Sequence, residues 1–255
     1  EISECLVGSE MCIRDSHYTH IPGKKGSISS NYIRSLALDS ENVLWIGAIN
    51  SLNIYNEATD SFDSYASNAE VSGSLSQASV RDIFMDTQGG MWLGTYYGGL
   101  NYYHPLKDRF HNIQSFAKEN SLNSSTIGCI KEDAQKGIWI GTNNGGLNYY
   151  NPHTHKFTYY TQKDGLESND IKAIYIDEAQ NLVYIGTHTG GLSILHRNSG
   201  RIETFNNRNT RNLYDIQPAI NGDLWITGMT ALLRFNPRQK TFTRITHQSD
   251  GRPLE

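Results

Sequence analysis

Histidine and cysteine side chains support the widest range of chemistry, and the sequence contains nine histidines and three cysteines. None of the histidines stands in an H-E-x-x-H zinc motif, and the sequence has no G-x-S-x-G nucleophile turn and no phosphate-binding glycine loop. Cys5, Cys12 and Cys129 are an odd and widely spaced set, which indicates neither a disulfide framework nor a zinc site. We therefore predict no catalytic residues, no metal site and no cofactor.

Four aspartates recur at the end of an apolar run, directly before a turn, and are Asp39, Asp86, Asp133 and Asp177. Carboxylates in register could suggest calcium, but each stands in a separate segment and none belongs to a D-x-D-x-D sequence. An aspartate at this position can cap the backbone of the following turn. We predict that these four residues are structural.

A repeated hairpin accounts for the organisation of the chain. Residues 137–150 read GIWIGTNNGGLNYY, in which an apolar run with one tryptophan enters a Gly-Gly turn and a second strand leaves it. The same pattern recurs along the chain, anchored at Trp45, Trp92, Trp139, Tyr184 and Trp225. A repeat of this length that is built only from strands predicts a β-propeller.

Each repeat can be divided into four strands, and five repeats fit the sequence. We place them at about 33–79, 80–126, 127–170, 171–212 and 213–255. Residues 17–32 match the last strand and loop of a preceding blade, and residues 1–16 are expected to be a non-native or unassigned segment. The predicted fold is all-β, with four-stranded antiparallel blades in an incomplete, open propeller of about five blades.

The turn between the second and third strands lies on the same rim of a propeller as the start of the first strand, because successive strands alternate in direction. The turns contribute Tyr96, Tyr97, Asn143, Asn144 and His188 to this rim. The first strands line the central channel and contribute Arg34, Arg81 and Lys172. Aromatic faces stack on sugar rings, amides bind hydroxyl groups, and cations pair with uronate or sulfate. These eight residues therefore predict a binding site for an oligosaccharide, neutral or anionic.

The best-preserved repeat, residues 80–100, reads VRDIFMDTQGGMWLGTYYGGL and resembles the two-component regulator propeller repeat. The resemblance covers residues 17 to 250. The fifth repeat departs from it, because Trp225 is followed by Ile-Thr-Gly and residues 229–232 lack the Gly-Gly pair. Such repeats occur in the periplasmic sensor region of hybrid two-component histidine kinases of Bacteroidetes-type bacteria.

The resemblance implies a ligand-sensing segment in signal transduction, a periplasmic location and a homodimer in the full-length protein. Any kinase activity would lie in a part of the protein outside this chain, so we predict that the segment itself is not an enzyme. The net charge of −4 gives no indication of nucleic-acid binding. No apolar run approaches the roughly 20 residues of a membrane helix, so membrane attachment would come from missing regions.

Two other functions remain open from the sequence. One is a protein-interaction scaffold, in which the rim or an uncovered blade edge docks a partner. The other is an enzyme that resembles streptogramin lyases, which would need a histidine base near the channel. His188 is the only histidine that the pattern places on the appropriate rim.

Overall fold

A computed structural model describes residues 16–68, 73–104, 111–113, 115, 120–206, 210–229 and 231–245. The segment predicted to be non-native, residues 1–16, therefore lies outside the described residues except for Ser16. Within these described ranges, twenty strands form five separate four-stranded antiparallel sheets, each with its strands in simple sequence order. The all-β blade architecture predicted from the repeat is confirmed.

The first blade contains β1 (Ile33–Leu38), β2 (Leu44–Ala48), β3 (Leu52–Asn56) and β4 (Ser61–Tyr65). The second contains β5 (Val80–Met85), β6 (Met91–Thr95), β7 (Leu100–Tyr103) and β8 (His111–Ile113). The third contains β9 (Ile127–Glu132), β10 (Ile138–Thr142), β11 (Gly146–Asn151) and β12 (Lys156–Tyr160), and a 3-10 turn (Gln162–Asp164) follows it. The fourth contains β13 (Ile171–Asp177), β14 (Leu182–Thr187), β15 (Leu192–His196) and β16 (Ile202–Phe205). The fifth contains β17 (Leu213–Pro218), β18 (Leu224–Gly228), β19 (Leu232–Asn236) and β20 (Thr241–Ile245).

The aromatic anchor of each of the first four blades is buried against the blade that follows it. Trp45 packs with Val80 and Ile83 of the second blade, and Trp139 packs with Ile171 and Ile174 of the fourth. A four-stranded sheet has two apolar faces, so each face needs a neighbour to exclude water. Burial of a large aromatic side chain at every junction supplies much of that stabilisation.

The phenylalanine of the fourth strand faces the opposite way, towards the preceding blade. Phe157 packs in the cluster around Trp92, and Phe242 packs in the cluster around Tyr184. In the first blade, Tyr18 covers the equivalent Phe62, with the two ring centroids 5.2 Å apart. Residues before the first complete blade therefore cover part of the face that a preceding blade would bury.

The two ends of the array are only partly covered. First strands of consecutive blades pack on one another, but among the described strands β17 and β1 make no comparable contact. Leu36 on β1 is 63% exposed, and Trp225 on β18 is 37% exposed, whereas the other three tryptophans are buried. The propeller is open in this chain, as the sequence predicted.

The recurring aspartates cap the turns after the first strands, as expected. Asp133 Oδ1 accepts hydrogen bonds from the backbone N–H groups of Gln135 and Gly137, at 3.0 and 2.8 Å. Its Oδ2 accepts a hydrogen bond from Trp139 Nε1 at 3.0 Å, which the sequence did not indicate. The same carboxylate-to-indole bond joins the pairs Asp39–Trp45 and Asp86–Trp92. One side chain thus fixes both the turn and the buried ring.

The fourth blade lacks this bond because Tyr184 replaces the tryptophan. The Tyr184 hydroxyl is buried and has no hydrogen-bond partner among the described residues. Burial also raises the pKa of Tyr184 to about 12, since the phenolate would lie away from water. A buried hydroxyl without a partner costs about 1–3 kcal/mol.

We predict that Tyr184→Phe leaves the free energy of unfolding unchanged or raises it by about 1 kcal/mol, because it removes only the unpartnered hydroxyl. Urea denaturation would measure this change. The matched control is Trp139→Phe, which removes the bond to Asp133 and leaves a cavity, and which should cost about 2 kcal/mol or more. A loss for Tyr184→Phe as large as that of the control would contradict the interpretation.

Candidate functional site

A buried threonine shapes each complete Gly-Gly turn on the predicted rim. Thr95 Oγ1 donates a hydrogen bond to Gly99 O at 2.8 Å and accepts one from Gly98 N at 3.0 Å. The fourth blade repeats this arrangement with Thr187 and its own glycine pair. The turn is therefore held from inside, and its polar and aromatic side chains project from a fixed backbone.

In each of the first three blades, a buried asparagine on the third strand holds the loop that precedes the first strand. Asn101 Oδ1 accepts a hydrogen bond from Ser76 N, and Asn101 Nδ2 donates to Ser76 Oγ, both at 2.8 Å. Asn53 makes the same pair of bonds to Ser29, at 3.0 and 2.9 Å. The sequence does not predict this role, although the asparagine recurs directly after a leucine of the third strand.

Each first strand carries a β-bulge near its start. The register shifts between Ile33 and Ser35, and at the matching place in the other four blades. The residues at the shifts are Arg34, Arg81, Gly128, Lys172 and Tyr214. A bulge adds one residue to a strand and turns its side chain away from the regular alternation. The predicted cations thus occupy equivalent, redirected positions around the channel.

Arg81 connects the channel to the turn of its own blade. Its guanidinium carbon lies 5.0 Å from the centroid of the Tyr96 ring, a cation–π contact. The Tyr96 and Tyr97 rings are 4.2 Å apart, and Tyr97 is 66% exposed. Burial lowers the pKa of Arg81 from its ordinary value, and the positive charge of Arg34 lowers it further. These four residues form one cluster of two cations and two aromatic rings, which we call the arginine–tyrosine patch.

Lys172 forms a second cluster at the junction of the third and fourth blades. Its ammonium nitrogen lies 2.9 Å from Asn143 Oδ1 and 3.0 Å from Asp170 Oδ1. His188 donates its backbone N–H to Asp170 O at 2.9 Å, and its buried Nδ1 has no hydrogen-bond partner in the described part of the chain. The carboxylate of Asp170 therefore balances the positive charge of Lys172, and Asp170 is not among the eight residues predicted from the sequence.

Seven of the eight predicted site residues fall into these two clusters, and the negative charge of Asp170 in the second cluster partly opposes the lowering of the Arg81 pKa. Asn144 is the exception. It is exposed and occupies the left-handed position of its turn, with φ of 64°. Its role there is conformational, because asparagine tolerates this backbone geometry.

Gly128 interrupts the ring of bulge side chains. A Cβ atom at this position would lie 2.2 Å from the carbonyl oxygen of Ile171, so only glycine allows the third and fourth blades to approach this closely. The third blade therefore presents no side chain to the channel between Arg81 and Lys172.

The carboxylate of Asp82 lies in the channel wall, and its hydrogen bonds link the first three blades. Its Oδ2 accepts a hydrogen bond from Ile130 N at 2.7 Å, and its Oδ1 accepts one from Ser35 Oγ at 3.4 Å. The bulge of the third blade would otherwise leave the Ile130 N–H without a partner. Desolvation raises the pKa of Asp82 to about 6, although these hydrogen bonds partly oppose that shift.

Among the described residues, no group of three or more histidine, cysteine, aspartate or glutamate side chains could hold a metal ion. In the same part of the chain, no helix has the length and apolar character needed to cross a membrane.

The blades and the bulge-lined rim define the class of the protein as a β-propeller built from repeated four-stranded blades. The family described as two-component regulator propeller matches residues 27–50, 74–97 and 121–144. Each match includes the loop, the first strand and the tryptophan strand of one of the first three blades. These segments are two-component regulator propeller repeats, as the sequence predicted.

Solved structures agree with this assignment. The extracellular domain of the hybrid two-component system BT3049 from B. thetaiotaomicron shares 27% identity over 85% of this chain, with a TM-score of 0.78. This chain spans 30% of that domain. The chain is thus similar to part of the extracellular domain of a hybrid two-component system. No curated protein matches the sequence significantly.

More distant structures share the fold alone. The extracellular domain of BT4673 from B. thetaiotaomicron is 20% identical, with a TM-score of 0.50, over 89% of this chain and 41% of that one. Virginiamycin B lyase from Staphylococcus aureus is 13% identical, with a TM-score of 0.65, over 86% of this chain and 71% of that one. A propeller fold by itself does not determine function.

We predict that Asp82→Asn becomes increasingly more stable than the unmodified protein as the pH rises from 4 to 7. The folded-state pKa of about 6 lies above the ordinary value of about 3.9, so native Asp82 holds a proton that the unfolded chain releases within this window. Rising pH therefore costs the unmodified protein stability, by roughly 2 kcal/mol in total. The amide avoids this cost and still accepts from Ile130 N.

Urea denaturation at several pH values would measure the difference. The control is Asp82→Ala, which removes the acceptor for Ile130 N and should be less stable than Asp82→Asn throughout the range. A pH-independent difference between Asp82→Asn and the unmodified protein would show that Asp82 is not desolvated in the native state.

Proposed function

We propose that this chain is a ligand-sensing segment of a two-component signalling sensor and that its bulge-lined rim binds an oligosaccharide. The observation that carries the proposal is the arginine–tyrosine patch, in which Arg81 stacks on Tyr96 beside the exposed Tyr97. The similarity to extracellular regions of two-component sensors supports the sensing role.

The chemistry of the patch suits a sugar in two ways. The exposed face of Tyr97 offers an apolar surface for the C–H groups of a pyranose ring, and tyrosine loses little conformational entropy on binding. Arg81 and Arg34 offer guanidinium groups in the geometry that carboxylate and sulfate groups prefer. The stacking of Arg81 on Tyr96 holds the guanidinium in place before a ligand arrives, which reduces the entropic cost of binding.

The second cluster, around Lys172, offers an uncharged group for the hydroxyl groups of a sugar. Asn143 presents an amide beside Lys172 that can bind a hydroxyl group. Because Asp170 balances the charge of Lys172, the net positive charge comes mainly from Arg34 and Arg81. We therefore place an acidic group of the ligand near the arginine–tyrosine patch and hydroxyl groups near Lys172.

In the full-length protein we place this segment in the periplasm, as part of a homodimer. Ligand at the rim would act on signalling by binding one dimer geometry more tightly than another, because a ligand shifts an equilibrium only through differential affinity. The role assigned to this chain is binding, without turnover.

We predict that a panel of neutral and anionic oligosaccharides contains at least one that stabilises the protein, by about 2.7 kcal/mol at a concentration 100 times its dissociation constant. Tyr97→Ala should weaken that ligand about tenfold, which corresponds to ~1.4 kcal/mol of lost contact. Arg81→Ala should weaken an anionic ligand more than its neutral analogue. Thermal shift measurements followed by calorimetric titration would test both.

The matched control is Arg201→Ala, which removes an exposed arginine at the opposite rim and should leave sugar binding unchanged. No stabilisation by any sugar, neutral or anionic, would refute the proposal and favour a scaffold that binds a protein partner. Conversion of a bound sugar that is lost in His188→Ala would refute a purely binding role.

A further inference from the structure

Arg197 fills the groove between the third and fourth blades, on the rim opposite the arginine–tyrosine patch. Its guanidinium donates to Asp133 Oδ2 at 2.7 Å, to Gln135 Oε1 at 2.7 Å and to Glu178 Oε2 at 2.8 Å. The guanidinium carbon also lies 5.7 Å from the centroid of the Trp139 ring. Two carboxylates, one amide oxygen and one aromatic face therefore surround a single guanidinium group.

The groove between the second and third blades contains the same four groups. Asp86, Gln88 and Trp92 occupy the positions of Asp133, Gln135 and Trp139 in the repeat. Glu132 takes the place of the fourth group, Glu178. These four side chains line a cavity of about 340 Å³.

Glu132 and Glu178 play equivalent parts, although they are not aligned in the repeat. Glu178 Oε1 accepts a hydrogen bond from Ala134 N at 2.7 Å, and Glu132 Oε2 accepts one from Thr87 N at 3.1 Å. Each glutamate thus reaches the residue that follows the turn aspartate of the preceding blade. Both grooves therefore contain a glutamate carboxylate in addition to that of the turn aspartate.

Among the described residues, the groove between the second and third blades lacks only the guanidinium. Pro152 stands at the hairpin position that Arg197 occupies in the next blade, and it has no side chain that could reach Asp86. The nearest cation on the cavity wall, Lys136, donates to the Thr87 hydroxyl. In the described part of the chain, Asp86 has no ion-pair partner within 4 Å, although it is only 6% exposed.

We propose that this cavity is a binding site for a guanidinium group that comes from outside the chain. The bound group would donate to Asp86, Glu132 and Gln88 and would lie against the Trp92 ring. Guanidinium matches this environment better than a primary ammonium, because its planar fork serves several acceptors at once while it stacks on an aromatic face.

The remaining walls fit a ligand with a short apolar chain. Tyr102 and Tyr150 both lie beside Trp92, with ring centroids 4.5 and 6.2 Å from it. Ile138 and Pro152 add further apolar surface. The volume lies within the range of about 300–1,000 Å³ that is usual for small-molecule sites. An alkyl guanidine such as agmatine, or an arginine side chain, has the required size and chemistry.

The test is calorimetric titration of the full chain with agmatine at low ionic strength, with butylamine as the ammonium comparison. We expect one agmatine per chain and at least tenfold weaker binding of butylamine. Glu132→Gln should weaken agmatine at least tenfold. The matched control is Glu178→Gln in the groove that Arg197 already fills, which should leave the affinity for agmatine unchanged.

Two variants test whether the two grooves are interchangeable. Pro152→Arg places an arginine at the position of Arg197 and should abolish agmatine binding and raise the melting temperature. Arg197→Ala opens the second groove and should raise the stoichiometry from one agmatine per chain to two. Absence of agmatine binding, or unchanged binding in Pro152→Arg, would overturn the proposal.

The source of the guanidinium is decided by comparing agmatine with an arginine flanked by glycines in a capped peptide. Tighter binding of agmatine assigns the site to a free small molecule. Tighter binding of the peptide assigns it to an arginine side chain of a partner. These titrations report on the opposite rim from the proposed sugar site, so loss of one kind of binding does not imply loss of the other.

Discussion

The structure depends on the requirement that each blade bury its aromatic anchor against the blade that follows. A tryptophan buried in this way carries an indole N–H that must also find an acceptor, and the turn aspartate provides it in the first three blades. The same carboxylate caps the turn after the first strand, so packing between blades and turn geometry within a blade are coupled. The uncovered Trp225 in the fifth blade has no aspartate at the corresponding turn, where Ala219 stands instead.

The repeat made most of the fold predictable. Strand order, the tryptophan layer and the position of the rim follow from a period that recurs along the sequence and from the alternation of strand direction. The sequence does not predict the bulges. They nevertheless fall on Arg34, Arg81 and Lys172, which the repeat places at the start of the first strands. The clustering of these residues follows from their equivalent places in consecutive repeats.

Interactions specific to a single repeat could not be predicted. Asp170 balances Lys172, and Asp82 supplies an acceptor to the next blade, because of neighbours that only the folded chain brings together. Arg197 reaches a carboxylate 64 residues earlier in the sequence. No periodic pattern signals contacts of this kind, since each depends on a residue that departs from the repeat. The asparagine that holds the loop before the first strand does recur in the first three repeats. Sequence alone, however, does not distinguish a buried asparagine from an exposed one.

Side chains vary between repeats in a different way on each of the two rims. On the bulge-lined rim, variation between repeats changes which side chains face the channel, from arginine to glycine to lysine. On the opposite rim, variation at one hairpin position changes whether a groove is filled by its own chain or left open. Both kinds of variation leave the backbone almost unchanged, because the threonine turns, the asparagine bonds and the aspartate caps are shared by most blades.

The placement of the four tryptophans has a spectroscopic consequence. Trp45, Trp92 and Trp139 each lie at a different junction between blades, beside a carboxylate and shielded from water, whereas the indole of Trp225 faces solvent. The protein therefore carries one fluorophore for each of its first three interfaces and one in contact with water. Because indole emission shifts with solvent contact, separation of any of these blade pairs changes the emission, and variants that each keep a single tryptophan would report on one interface at a time without an added label.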